Sequence, residues 1–445
     1  MSSRTHLVAL IFTGTAFFTA LNAKAQDTTK NLSLNEAIAA TLSNNRALQI
    51  AKLDEGIAIA NYKQTQAVFL PRVDLSYTAI RTNDPLNAFG FKLEQQSITP
   101  NDFDPSLLNH PGGTTDIITK LEVQQPILNL DMLYARKGAG IQTEVYRYKT
   151  QRTKEYLTFE VQKAWLQLQL AYDAEDVLDD AQKTARAVYK FTDDHYRQGL
   201  IQRSDVLNAQ VHLAGVESNL AKAKSNIRNA SDYLSLLMGT ETGVVYKISG
   251  QTMVYESTID TVQKVSDSRA DLMALKKAIE ASDMMVKSNQ LSYLPKLNAF
   301  GNYQYNDANL TGFGANSYLA GIQLSWDIFK GNTRKNKITE QRLERDKIAQ
   351  QLAQQKEQSN LEISKAYRDL SDARFEITRE KSAVAQAAES LRILRNRYEQ
   401  GLINTTDILA AETQLSQQKF ALAQAVYGMN VTRAYLALLT TSTIK

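Results

Sequence analysis

The chain has 445 residues, with 51 Lys and Arg against 47 Asp and Glu, and this balance lacks the dense basic stripe of a nucleic-acid-binding protein. Hydrophobic residues make up 43%, too many for a disordered chain. Cysteine is absent, which excludes a thiolate zinc site, a disulfide framework, a thiol nucleophile and an acylated N-terminal Cys.

The first predicted element is an export signal. Arg4 and His6 precede an apolar run from 7 to 21, and Ala23-Lys24-Ala25 then supplies small residues at the spacing a signal peptidase needs. Cleavage is expected after Ala25, making 1–25 a signal peptide; the alternative is a membrane-anchoring helix. Further on, no apolar run reaches the ~18 residues of a spanning helix. Any membrane-embedded part of the mature chain must therefore be built from strands.

A helix follows, then a strand over about 71–81, where Val73, Leu75, Tyr77 and Ala79 alternate with Asp74, Ser76 and Thr78. The segment from 82 to 116, which carries Pro85, Pro100, Pro105, Pro111 and Gly112-Gly113, reads as a long loop. A second strand is expected over about 117–127, with Ile117, Leu121 and Val123 on one face and Lys120, Glu122 and Gln124 on the other. The seven prolines leave 127–294 and everything after 295 free. Proline costs about 3 kcal/mol inside a helix, so these gaps permit very long ones. From 131 to 198, Leu157, Val161, Ala164, Leu168 and Ala171 begin a stripe with steps of three and four, the signature of coiled-coil-like packing. At 1.5 Å per residue this helix is about 100 Å long, a tube or stalk rather than part of a compact domain. A tip turn at 196–205 and a return helix to 239 complete a first repeat over 26–239. Residues 240–268 read as an irregular or mixed equatorial linker.

The second repeat, 269–445, has the same plan: helix, strands over about 295–305 and 318–329, long helix, tip turn at 398–407, return helix. In its strands Leu297, Ala299, Tyr303 and Tyr305 alternate with polar residues, as do Tyr318, Ala320, Ile322 and Leu324. The internal match is clearest at the turns, where Tyr196-Arg-Gln-Gly199-Leu200-Ile201-Gln-Arg-Ser204-Asp205 lines up with Tyr398-Glu-Gln-Gly401-Leu402-Ile403-Asn-Thr-Thr406-Asp407. Gly at each turn suits a helix end in the left-handed region. Ser204 or Asp205, and Thr406 or Asp407, suit the cap of the next helix.

Each strand has the ~10-residue length of a tilted membrane strand, yet four cannot close a barrel, which needs at least about eight. An open edge in lipid leaves backbone groups unpaired at several kcal/mol each. Either the strands form a small soluble sheet or several chains complete one barrel.

The duplicated plan, the Leu70-Pro71 and Leu294-Pro295 steps into each strand pair, and the repeated Gly-Leu turn resemble the TolC-like outer-membrane efflux proteins over essentially the whole mature chain. The resemblance implies a mainly α fold with a small β part: long helices forming a periplasmic α-barrel, and four strands per chain of a shared twelve-stranded transmembrane β-barrel. It implies a homotrimer in outer-membrane lipid, a passive duct for efflux or type I secretion. A periplasmic adaptor would dock it, and an inner-membrane RND or ABC transporter would drive it. Gly199, Leu200, Gly401 and Leu402 would be the docking tips. Asp205, Tyr398 and Asp407 would be gate candidates, although the two aspartates serve equally as helix caps and Tyr398 as a packing residue. The family's Tyr–Asp–Arg clasp is incomplete, because Ile403 occupies the Arg position. Ala410 replaces a second acidic residue, leaving three carboxylates rather than six in a three-chain ring. No catalytic, cofactor or metal-ligand pattern stands out. The competing reading is a soluble periplasmic coiled-coil scaffold or adaptor.

Overall fold

A computed structural model describes residues 28–248 and 264–441. The expected signal segment 1–25, and 249–263 of the expected linker, lie outside the described residues. In chain order the elements are β1 (Thr28–Leu32), α1 (Leu34–Asn44), α2 (Arg46–Gln64), β2 (Arg72–Thr82), α3 (Pro85–Glu94), α4 (Pro105–Asn109), β3 (Thr114–Leu128), α5 (Leu130–Arg197), α6 (Arg203–Met238) and β4 (Val244–Ile248). They continue as α7 (Ala270–Leu291), β5 (Lys296–Asp307), β6 (Ala315–Ser325), α8 (Thr333–Glu399) and α9 (Thr405–Thr440).

The two long helices, α5 with 68 residues and α8 with 67, are each about 100 Å long. Helix α5 is flanked by α2 and α6 and by α7 and α9; α8 packs chiefly on α7 and α9. The predicted stripe is the seam: Val161, Ala164 and Leu168 of α5 bury against Ile227 and Leu234 of α6. Ile363, Ala366 and Leu370 of α8 bury against Met429 and Leu436 of α9 in the same way. Each fully buried Leu or Ile here contributes roughly 1.5–3 kcal/mol.

Two junctions join the shorter helices end to end along these partners. At the first, Asn45 Nδ2 donates to the Leu237 carbonyl at 2.8 Å, and Gly239 (φ 65°) lies so close to Asn44 that a Cβ would meet its carbonyl oxygen at 2.8 Å. At the second, the buried Arg269 holds Asp271 through two bonds of 2.7 and 2.8 Å, and also reaches the Leu439 carbonyl and the Ser359 hydroxyl. In the described part of the linker, β4 pairs in parallel with β1, Thr28 opposite Val244. Tyr246 of β4 is buried in the α5–α6 core, and its carbonyl accepts from Tyr172 Oη at 2.8 Å.

The larger sheet is antiparallel, in the order β2-β3-β5-β6, with β2 and β6 as its two edges. Its strands differ from expectation at their ends. β3 extends to 114–128 rather than 117–127, because β2 runs on to Thr82 and pairs it with Thr114. β6 spans 315–325 rather than 318–329: β5 begins at Lys296, just after Pro295, so beyond the Lys296–Ser325 pair no strand remains to hold it.

Candidate duct and periplasmic tip

Strand register sorts the sheet into two chemically opposite faces. Adjacent side chains run Val73, Val123, Gly301, Ala320 in one row and Leu75, Leu121, Tyr303, Tyr318 in the next. Leu75, Leu121, Tyr303, Tyr318, Ile322 and Leu324 are all exposed in the single chain. Trp326, just past β6, is exposed too, and its indole donates to the Tyr293 carbonyl at 2.9 Å. The opposite face carries Asp74, Glu122 and Asn302 in one row and Ser76, Lys120 and Gln304 in another. Two ion pairs lie on it, Arg72–Asp74 and Lys120–Glu122, each at 2.8 Å. An apolar face of this extent without a protein partner marks a membrane or partner contact, and the polar face behind it suits a water-filled lumen.

The helices leave the sheet at one end, so the two strand turns stand at the other. There the expected loop 82–116 contains α3 and α4, each opened by Asp and Pro: Asp84 accepts from Asn87 N, and Asp104 from Ser106 N. The segment is braced by Lys92–Asp102 at 2.5 Å, which with the Thr99 bonds holds the Asp102 carboxyl down to about 2. It is pinned to the polar face. Gln95 Nε2 donates to the buried Asp116 at 2.9 Å, and Asn306 Nδ2 bridges Asp116 at 2.7 Å and Glu94 at 3.2 Å. Burial and the nearby Asp116 carboxylate raise the Glu94 carboxyl above its ordinary range. The shorter β5–β6 turn folds the other way, its Leu310 carbonyl accepting from Tyr77 Oη on the apolar face.

At the far end of the helices both tips have one geometry. Gly199 (φ 74°) donates to Tyr196 O and Leu200 to His195 O; Gly401 (φ 72°) donates to Tyr398 O and Leu402 to Arg397 O. These paired bonds satisfy the last carbonyls of α5 and α8. Leu200 and Leu402 are left exposed. The return helices begin two or three residues earlier than expected, at Arg203 and Thr405, with Gln202 and Asn404 as N-caps. Asp205 and Asp407 therefore sit a turn inside, where each carboxylate accepts the cap residue's amide, at 3.3 and 3.4 Å.

Tyr398 is buried, in a cluster with Val188 and Ile408. Its hydroxyl bonds Thr192 at 2.7 Å and Thr405 at 3.0 Å, and its ring lies 5.0 Å from Phe191. Among the described residues no hydrogen bond joins Tyr398 to Asp205 within one chain, and Ile403 packs beside the cluster instead of pairing with either. Two further links between the hairpins escaped the sequence reading: His212 Nε2 with the buried Glu412 carboxylate at 2.8 Å, and Lys419 with Asp180 at 3.2 Å. Neither pair is repeated at the matching positions of the other half, so the duplication gave no signal for them.

A lipid-type sheet face joined to two ~100 Å helical hairpins defines an outer-membrane channel subunit with a long periplasmic extension. The outer membrane efflux protein model matches residues 37–240 and 261–441, most of the chain, and the chain belongs to that family. It is 22% identical to the outer membrane protein TolC of Escherichia coli over 336 residues, and 21% identical to that of Salmonella enteritidis over 307. These matches span 66% and 61% of the two relatives' lengths. Among solved structures, CusC superposes with a TM-score of 0.76 at 16% identity, covering 92% of each chain. The Campylobacter jejuni CmeC outer membrane channel does so with 0.78 at 17%, covering 91% of this chain and 85% of that one. The family is one of channels rather than enzymes. Among the described residues no group of three or more acidic or His side chains could hold a metal ion.

Proposed function

We propose that three copies of this chain form one passive duct from periplasm to exterior, each giving four strands to a shared twelve-stranded barrel. The observation that carries this reading is the four-stranded sheet with two unpaired edges and one exposed apolar face. Such a sheet is untenable in lipid until other chains close it. The long hairpins would form the periplasmic tube, and the exposed Gly199-Leu200 and Gly401-Leu402 turns would receive an adaptor protein. An inner-membrane transporter, of the RND or ABC type, would supply the energy for efflux or type I secretion. The segment with α3 and α4, pinned to the polar face, would stand over the outer mouth.

At the tip, Tyr398 is the gate candidate that the geometry favours, because its hydroxyl bonds Thr192 of the other hairpin as well as Thr405 of its own. Asp205 and Asp407 are engaged with their own helix starts. Planar-bilayer recording tests the reading: purified protein should produce discrete single-channel steps. A protein that extracts from outer membranes intact yet never conducts would overturn it.

A further inference from the structure

The corner where helix meets sheet is built twice. Phe69-Leu70-Pro71 corresponds to Tyr293-Leu294-Pro295 and Lys63 to Lys287, while Gln125 corresponds to Trp326 in the strand pairs. The matched positions make matched bonds. Gln125 Nε2 donates to the Phe69 carbonyl at 3.2 Å, and Trp326 Nε1 to the Tyr293 carbonyl at 2.9 Å. An arginine from the start of the following long helix then lies over each ring. Arg136 Cζ is 5.3 Å from the centre of Phe69, and Arg334 Cζ is 5.3 Å from the centre of Tyr293. The two arginines are not matched in the sequence repeat, so each half reaches the same arrangement from its own helix position. Both corners carry a surplus of positive charge. Arg136 donates only to the neutral hydroxyls of Tyr62 and Thr65, at 3.3 and 3.5 Å. Lys63, Lys137 and Lys287 form no ion pair among the described residues. At the second corner one carboxylate, Asp327, serves both Lys330 at 2.5 Å and Arg334 at 3.2 Å. Leu70, Leu294, Trp326 and Phe329 are exposed beside these cations and continue the apolar face of the sheet toward the helices.

We infer that each corner binds the phosphate of an anionic phospholipid, in the membrane leaflet on the periplasmic side. This rests on the duct reading, which puts the apolar face in lipid and the helices in the periplasm. Aromatic side chains suit the level of the headgroups, and clustered basic residues at that level attract acidic lipids. A guanidinium stacked on a ring keeps its edge free to meet phosphate oxygens in pairs. The acyl chains would then lie along the apolar face of the sheet, which is continuous with the corner. A zwitterionic headgroup brings an ammonium of its own, and the neighbouring lysines repel it. The corners should therefore prefer phosphatidylglycerol to phosphatidylethanolamine. Arg136 and Arg334 are the residues on which the preference turns, since each is already held in place by its ring.

Native mass spectrometry of the detergent-solubilised protein, incubated with equal amounts of phosphatidylglycerol and phosphatidylethanolamine, tests the site. Phosphatidylglycerol should stay bound, at up to two molecules per chain, under activation that strips phosphatidylethanolamine. Arg136→Gln and Arg334→Gln should each remove about half of the retained phosphatidylglycerol, and the double variant nearly all of it. Arg392→Gln, far down α8 and paired there with Glu389, should retain it in full. Inorganic phosphate at the same concentration should not displace the lipid; if it does, the site takes a free anion and the proposal fails. Equal retention of the two lipids, or undiminished retention by a double variant that still assembles and conducts, also overturns the lipid site. In that case a wild type that conducts as an oligomer leaves the duct reading standing. A protein that neither assembles nor conducts overturns the duct reading and the lipid site with it.

Discussion

At the scale of single residues, the strongest prediction falls on Arg269. Its guanidinium is buried and serves Asp271, Ser359 and the end of α9 together. Arg269→Ala leaves those groups unpaired and should cost about 3–5 kcal/mol, read as a lower urea midpoint of the detergent-solubilised protein. Burial alone would raise the Asp271 carboxyl, but the bonds and charge of Arg269 override it and the net shift is downward. With a depressed folded value, the pair's contribution is present above the ordinary Asp pKa of about 3.9 and is lost as pH falls through the lower folded value. The midpoint difference between wild type and Arg269→Ala should therefore shrink in acid; an unchanged difference would contradict the ion pair's role. At the tips, Gly401→Ala meets no steric obstacle, since nothing lies within 4 Å of the added Cβ. Its cost should be the left-handed backbone alone, about 1–2 kcal/mol. Tyr398→Phe removes the bond to Thr192 that joins the hairpins, with the bond to Thr405, and should raise single-channel conductance, whereas Asp205→Ala should barely alter it. The reverse order would place the latch on Asp205.

At the scale of elements, the segment from α3 to α4 is held by side chains rather than by a core. Asp116→Ala removes the acceptor shared by Gln95 and Asn306. Protease cleavage within 84–110 should then rise several-fold while the strands stay protected; equal cleavage would show that the anchor lies elsewhere. These two helices were legible in principle, since Asp84-Pro85 and Asp104-Pro105 are N-cap and first-turn signals, but four prolines in the segment pointed to a loop. The long helices were legible because two proline-free gaps coincide with a sustained apolar stripe. Strand faces were legible from alternation, strand ends were not, because an end depends on where the partner strand stops. The β1–β4 pair was hidden by distance: two five-residue strands meet across some 200 residues of chain. Tyr398 was visible in the repeat, but its partners Thr192 and Thr405 were not, since the other half has Leu394 and Arg203 there.

At the scale of the whole molecule, the two hairpins of one chain are joined by Tyr398–Thr192, Asp180–Lys419 and His212–Glu412. All of this depends on oligomerisation being part of the fold, because four strands with two open edges cannot stand alone in lipid. Native mass spectrometry of the protein extracted from outer membranes in mild detergent tests that most directly. Three chains per particle is the expected result; a stable, folded single chain that remains membrane-inserted would contradict it.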